Sequence, residues 1–247
     1  AAEKEIIAIP KIKIIGLNYS QAIKDLKTWH EVNTEGIQLN EHHNQTIVEY
    51  AINDMQEGRI VLIFVNTVEH TLFLDDLFKQ YNTEFKVKMV HSSIGTVLQK
   101  EIKGWNKRLE NLEPLKQIDH EKFLEEREII NRQLIPLHLQ AKRLNVNSKK
   151  QELYKQWLAD KKIQGVIATS TWREGINIPS IETIILGGGG KESQKILQEI
   201  GRGLRRAEGK KFVKIVDFFN PSHRFLIEHF GMRFMQYLDK RWEFLYD

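Results

Sequence analysis

The 247-residue sequence has no cysteine, which excludes disulfides and thiolate metal sites and fits a reducing compartment. No apolar run approaches the roughly 20 residues of a membrane span, and no signal-peptide pattern opens the chain. Neither sign of charge dominates, with 37 Lys and Arg against 33 Asp and Glu. A net charge of +4 is compatible with nucleic acid without being diagnostic of it. Apolar residues make up 41% and charged residues 28%, as in a soluble globular protein. The length fits one large domain or two small ones. Ala1-Ala2 has the look of a cloning scar, so the chain reads as a piece whose upstream part is missing.

Several catalytic and binding signatures are missing too. Gly187 to Gly190, followed by Lys191 and Glu192, lacks both the first glycine and the Ser/Thr of a phosphate loop. Gly203-x5-Gly209-Lys210-Lys211 has the wrong spacing and ending, and Gly201-x-Gly203 lies inside a helical pattern rather than after a strand. The nine histidines show no ligand spacing, and adjacent His42 and His43 read as surface residues. No Ser/His/Asp or Cys/His arrangement stands out. The sequence itself therefore carries no nucleotide-binding loop and no metal site.

What is present is a series of short apolar runs: RIVLIFV (59–65), VKMV (87–90), GVIAT (165–169), TIILGG (183–188) and FVKIVDFF (212–219). Their lack of alternation predicts strands buried on both faces, and the helical patterns between them predict an α/β fold with a doubly wound parallel sheet. Ligands of such sheets sit at the carboxyl ends of strands. Each run ends in polar or glycine residues: Asn66-Thr67, His91-Ser92-Ser93, Thr169-Ser170-Thr171, Gly187 to Gly190, and Asn220. Helices are predicted over 44–57, stopped by Gly58, and over 68–81. Residues 5–15 form either an edge strand or a linker, since Pro10 disfavours a central strand; 1–40 is treated as a linker or N-terminal extension and 41–247 as the main lobe. The aromatic-rich C-terminus predicts a helix packed back on the domain, with Gly231 a point of interruption.

Between the second and third runs lies far more chain than one crossover needs. Leu98, Ile102, Trp105, Leu109 and Leu112 are spaced 4-3-4-3. Beyond Pro114 and an N-cap at Asp119, Phe123, Ile130, Leu137 and Leu144 lie seven apart, with Leu134 and Ala141 between them and Arg127 breaking the pattern. Heptads on both arms predict an antiparallel helical hairpin inserted over 96–146, with Pro136 kinking or splitting its second arm. The hairpin is either a structural flap or a projecting arm that docks nucleic acid or a protein partner.

The stretch Ser193 to Arg206, SQKILQEIGRGLRR, places Gln198, Arg202 and Arg205 on one helical face. Ile196, Leu197, Ile200 and Leu204 point elsewhere, toward a core. One amide and two guanidinium forks on a face suit the gripping of a polyphosphate. This Gln-x-x-Gly-Arg-x-x-Arg pattern resembles motif VI of superfamily 2 helicases and translocases. IVLIFVNT is similar to their motif IV, and VIATSTWREGINIPSIETIIL to their motif V. The motifs come in family order across residues 58–220, and the match is nearest to phage or bacterial DNA repair and restriction-type helicases.

The resemblance implies a RecA-like second motor lobe in the cytoplasm of a bacterial or phage-infected cell. ATP and Mg²⁺ would be bound mainly by a missing first lobe, which is the chain's expected partner together with nucleic acid, DNA foremost. Arg205 would be the arginine finger and Arg202 its companion. Gln198, Gly175 and Asn177 would lie near the nucleotide, although the family more often has Asp where Asn177 stands. Thr169 and Ser170 would touch phosphates of the strand, supported by Asn66, Thr67, His91 and Ser92. Trp172, beside Arg173, would either stack on a base or pack against a helix. The alternative function is a non-catalytic nucleic-acid-binding or docking module on the same scaffold.

Overall fold

The computed structural model describes residues 9–81, 83–91, 96–144, 148–169, 172, 178–203 and 212–246. Contacts divide the chain into a sheet unit (Ala1–Val90 and Ser148–Asp247) and a smaller unit (His91–Asn147).

In the sheet unit, β2 (Ile60–Val65), β3 (Val87–Val90), β4 (Gly165–Thr169), β5 (Ile181–Leu186) and β6 (Phe212–Phe219) form at the apolar runs. Two further strands, β1 (Ile9–Gly16) and the two-residue β7 (Glu243–Phe244), complete a seven-stranded sheet in the order β3-β4-β2-β5-β6-β1-β7. Every pairing is parallel. All six residues of β2 and all five of β4 are buried, because helices cover both faces of a parallel sheet.

Residues 9–40 correct the expectation of a linker or extension. β1 pairs with β6 along its whole length and with β7 at Lys11 and Ile12 only. Pro10 is tolerated because it precedes the short β7 ladder, so its missing N–H faces no partner on that side. After β1 come a 3-10 turn (Gln21–Ile23), α1 (Trp29–Asn33) and a π-helical turn (Thr34–Gln38). Thr28 and Glu31 make a reciprocal capping box at the start of α1, which satisfies two N–H groups that the helix itself leaves unpaired.

Helix α2 (Glu41–Gln56) is capped by Asn40, and α3 (Val68–Gln80) by Thr67. Their apolar faces, with Ile47, Val48, Ala51, Leu74 and Phe78, pack with Val61, Ile63, Ile167 and Val216 of the sheet in the main core. Asp54 of α2 reaches across to β5 and β6: the Thr183 hydroxyl donates to it at 2.5 Å, and Lys214 forms a close ion pair with it. Helices α7 (Ser148–Ala159) and α8 (Gly190–Gly203) complete the crossovers before the last helix, α9 (Arg224–Asp239).

α9 packs on the sheet as expected and runs through Gly231 without interruption. A mid-helix glycine costs about 1 kcal/mol relative to alanine, and a buried polar cluster just beyond it outweighs that cost. Arg233 donates two bonds to Asp217 of β6, at 2.9 and 3.0 Å, and a third to the His229 carbonyl; the Tyr237 hydroxyl donates to Asp217 at 2.6 Å. Burial opposes the Arg233 charge, but the facing carboxylate outweighs it and raises the guanidinium above its ordinary value. The Tyr237 phenol is pushed well up by burial, with the neighbouring carboxylate adding to it.

The smaller unit holds α4 (Thr96–Leu112), the short α5 (Leu115–Ile118) and α6 (His120–Leu144). α4 and α5 pack on α6, burying Leu98, Phe123, Ile130 and Leu134 along the heptad seams. Arg127, the break in the pattern, lies over the Phe123 ring at 5.9 Å. α6 is not split at Pro136: Leu134 is buried before it and Leu137 half-buried after it, and this packing offsets the one helical hydrogen bond that proline removes. Replacing 96–144 by a short linker is expected to leave a cooperative thermal transition in the sheet unit. Loss of that transition would show that the arms belong to the main core.

Candidate functional site

Because every strand is parallel, all the polar strand ends lie along one edge of the sheet. β2 ends at Asn66-Thr67, β3 at His91, β4 at Thr169, β5 at Gly187, and β6 at Asn220. The side chains at this edge are largely committed to the fold. Asn66 is half-buried and donates to the Gly188 carbonyl at 2.6 Å and to Asn33 Oδ1 at 3.2 Å. The Thr67 hydroxyl accepts from the His70 N–H, capping α3. Thr169 and His91 are buried. Ser92, Ser170, Gly175 and Asn177 lie outside the described residues.

The helix predicted from Ser193 onward is α8, which begins earlier, at Gly190. Ile196, Leu197 and Ile200 are buried while Gln198 is exposed, so the amide stands on the solvent face as the spacing required. Arg202 follows one turn later, in the last turn of α8. Leu204 and Arg205 lie outside the described residues. Trp172 is buried, and its backbone N–H turns back to the Thr169 carbonyl at 2.9 Å. Packing inside the domain is therefore its role, and it offers no ring face to a base.

His43 corrects the expectation of a surface pair. His42 is exposed, but His43 is 4% exposed, with Nε2 2.8 Å from the Gly187 carbonyl. Burial lowers its pKa to about 4. The neutral ring must carry its proton on Nε2, since a carbonyl can only accept. His70 is also buried and lowered to about 3 by burial, and its Nε2 lies 2.7 Å from Asn44 Oδ1. The Asn44 amide donates in turn to the Ile37, Gln38 and Asn40 carbonyls. A signal for His43 was present, because it stands one helical turn before buried Ile47 and so continues the apolar face of α2.

The family described as "Helicase conserved C-terminal domain" matches residues 113–207. Over that stretch the chain is similar to helicase C-terminal domains. That match contains Thr169, Ser170, Gly175, Asn177, Gln198, Arg202 and Arg205 and stops short of the β2 and β3 ends. Among solved structures, T4 UvsW superposes with a TM-score of 0.57 at 16% identity, covering 96% of this chain and 40% of that one. The yeast DEAD-box splicing factor Prp28 superposes with a TM-score of 0.51 at 12% identity, covering 100% of this chain and 37% of that one. The chain thus has a RecA-like fold and spans about two-fifths of the length of these structures. No curated protein matches it in sequence.

The Gly188 N–H is spent on the Phe64 carbonyl at 3.0 Å, and the carbonyls of Gly187, Gly188 and Gly189 are all engaged by side chains. Among the described residues no group of histidines and carboxylates could hold a metal ion, and no helix is long and apolar enough to cross a membrane.

Proposed function

We propose that this chain is the second motor lobe of an ATP-dependent nucleic-acid helicase or translocase. The observation that carries this reading is α8. It buries Ile196, Leu197 and Ile200 and leaves Gln198 on the open face, in the matched helicase region and one turn before Arg202. In a chain with both lobes, ATP and Mg²⁺ would be held mainly by the other lobe. Bound there, the nucleotide supplies a phosphoryl group on which negative charge develops. Arg205 stabilises that charge and Arg202 assists, while Gln198, Gly175 and Asn177 orient the nucleotide. Thr169 and Ser170 would meet strand phosphates, and Asn66, Thr67, His91 and Ser92 would offer further polar groups to the nucleic acid. The nucleic acid is DNA in the first instance.

A second reading, a non-catalytic nucleic-acid-binding or docking module, draws on one observation. Asn66, Thr67, Thr169 and His91 are buried or bonded within the fold, which a scaffold would also show. Two assays on the 247-residue chain test the motor reading. It is expected to hydrolyse no ATP, and to bind single-stranded oligonucleotides weakly, with an affinity that falls as salt releases counterions from phosphate. Tight, salt-insensitive binding would overturn the phosphate-track assignment. A two-lobe chain whose ATPase is indifferent to nucleic acid would favour the second reading.

A further inference from the structure

Four consecutive glycines join β5 to α8, and each is held at close quarters. A Cβ on Gly187 would lie 2.9 Å from Ile47 Cδ1, one on Gly188 2.5 Å from Asn66 Oδ1, and one on Gly190 2.7 Å from the Trp29 ring. Gly189 and Gly190 have φ of +57° and +67°, the left-handed region that favours glycine. Glycine is also the residue with the most backbone freedom to lose. Left alone, such a turn would be a poor foundation for a helix that has to point an arginine.

Three side chains from three different elements hold it. His43 of α2 donates to the Gly187 carbonyl at 2.8 Å, Asn66 after β2 donates to the Gly188 carbonyl at 2.6 Å, and Ser193 of α8 itself donates to the Gly189 carbonyl at 2.8 Å. The first two are themselves held. The His43 ring stands edge-on to Phe218 at 4.8 Å, and the Asn66 amide also grips Asn33 at the end of α1.

We propose that His43 and Asn66 are positioning residues for the motor reaction. By fixing the carbonyls of the glycine turn, they set the direction in which α8 leaves the sheet, and with it the placement of Gln198 and Arg202. The proposal rests on the motor-lobe reading and reassigns Asn66 from nucleic-acid contact to support. Geometry shows why the turn matters. Arg202 lies twelve residues beyond Gly190, roughly 18 Å along the helix axis. Over that lever a swing of about 3° displaces it by about 1 Å, an error that can cost about 100-fold in rate. Burial of Ile196, Leu197 and Ile200 holds the body of the helix, and the carbonyl clamps hold its origin.

The test uses three substitutions. His43→Leu removes the donor, His43→Gln restores one near the Nε2 position, and Asn66→Asp keeps the shape but turns a carboxylate toward two oxygens. Hydrogen exchange of α8 is read in the 247-residue chain, and steady-state ATPase in a chain with both lobes. His43→Leu and Asn66→Asp are expected to speed exchange in the first turns of α8 by about 10-fold. They are also expected to lower kcat by about 10-fold or more with KM for ATP within about 2-fold. His43→Gln is expected to recover both. Unchanged exchange in α8 would overturn the clamp. Faster exchange with an undiminished kcat, or a His43→Gln variant no better than His43→Leu, would overturn the positioning role. Failure of the underlying motor reading shows separately, as a two-lobe chain whose ATPase is indifferent to nucleic acid.

Discussion

Arg205→Ala, made in a chain with both motor lobes, is expected to lower kcat by about 10³–10⁵-fold, the range of arginine fingers. The guanidinium is proposed to act on charge that exists only as the phosphoryl group transfers, so ATP affinity should change far less than kcat. Arg205→Lys should rescue poorly, since an ammonium is a point charge without the planar fork. Steady-state kinetics on both variants decides the matter. An Arg205→Ala enzyme with near wild-type kcat would remove the finger from this position and make Arg202 the next residue to test.

The sheet unit is expected to lose stability steeply as pH falls below about 6.5. His43 and His70 have pKa values of about 4 and about 3 in the fold, below the ordinary imidazole value of about 6.5. Between those limits the unfolded chain binds protons that the native chain refuses, so the stabilisation is complete above about pH 6.5. It declines as pH falls and is gone for His43 below about 4 and for His70 below about 3. Each histidine contributes a slope of about 1.4 kcal/mol per pH unit, so reaching pH 4.5 removes roughly 5 kcal/mol, a large share of an ordinary domain's stability. Asp217, His42 and Arg233 act on His43 from around it, and His43 itself on His70, but burial dominates both. Urea unfolding midpoints measured from pH 7 to 4.5 check this, and His70→Gln should roughly halve the slope. A midpoint flat across that window would mean that neither imidazole is held neutral by the fold.

The strands were legible because a parallel sheet covered on both faces demands uninterrupted apolar runs, and 60–65, 87–90 and 165–169 have little else in them. β1 was ambiguous for a physical reason. IPKIKIIG mixes lysines with isoleucines, and its outer neighbour β7 pairs with only two of its residues, so it is nearly an edge. The heptads of α4 and α6 gave the hairpin directly, whereas Gly231 misled because burial on either side outweighs one local defect. The capping box of Thr28 and Glu31 stood in the sequence unread. For the site, spacing alone put Gln198 on the open face of α8. What no spacing could show is that Asn66 and His43, far apart in sequence, both serve the carbonyls of one glycine turn.

The insertion point of the hairpin also bears on the order of folding. β3 and β4 are neighbours in the sheet, yet residues 91–164 separate them, and closing so long a loop before any contact forms is slow. α4 and α6 meet through contacts local to their own hairpin, and helical hairpins of this kind form on the faster timescales of local structure. A hairpin formed first would shorten the loop that remains to be closed to roughly a third, which lowers the closure cost by about 1 kcal/mol. The smaller unit is expected to act as a kinetic splint, assembling early so that the last edge of the sheet can zip.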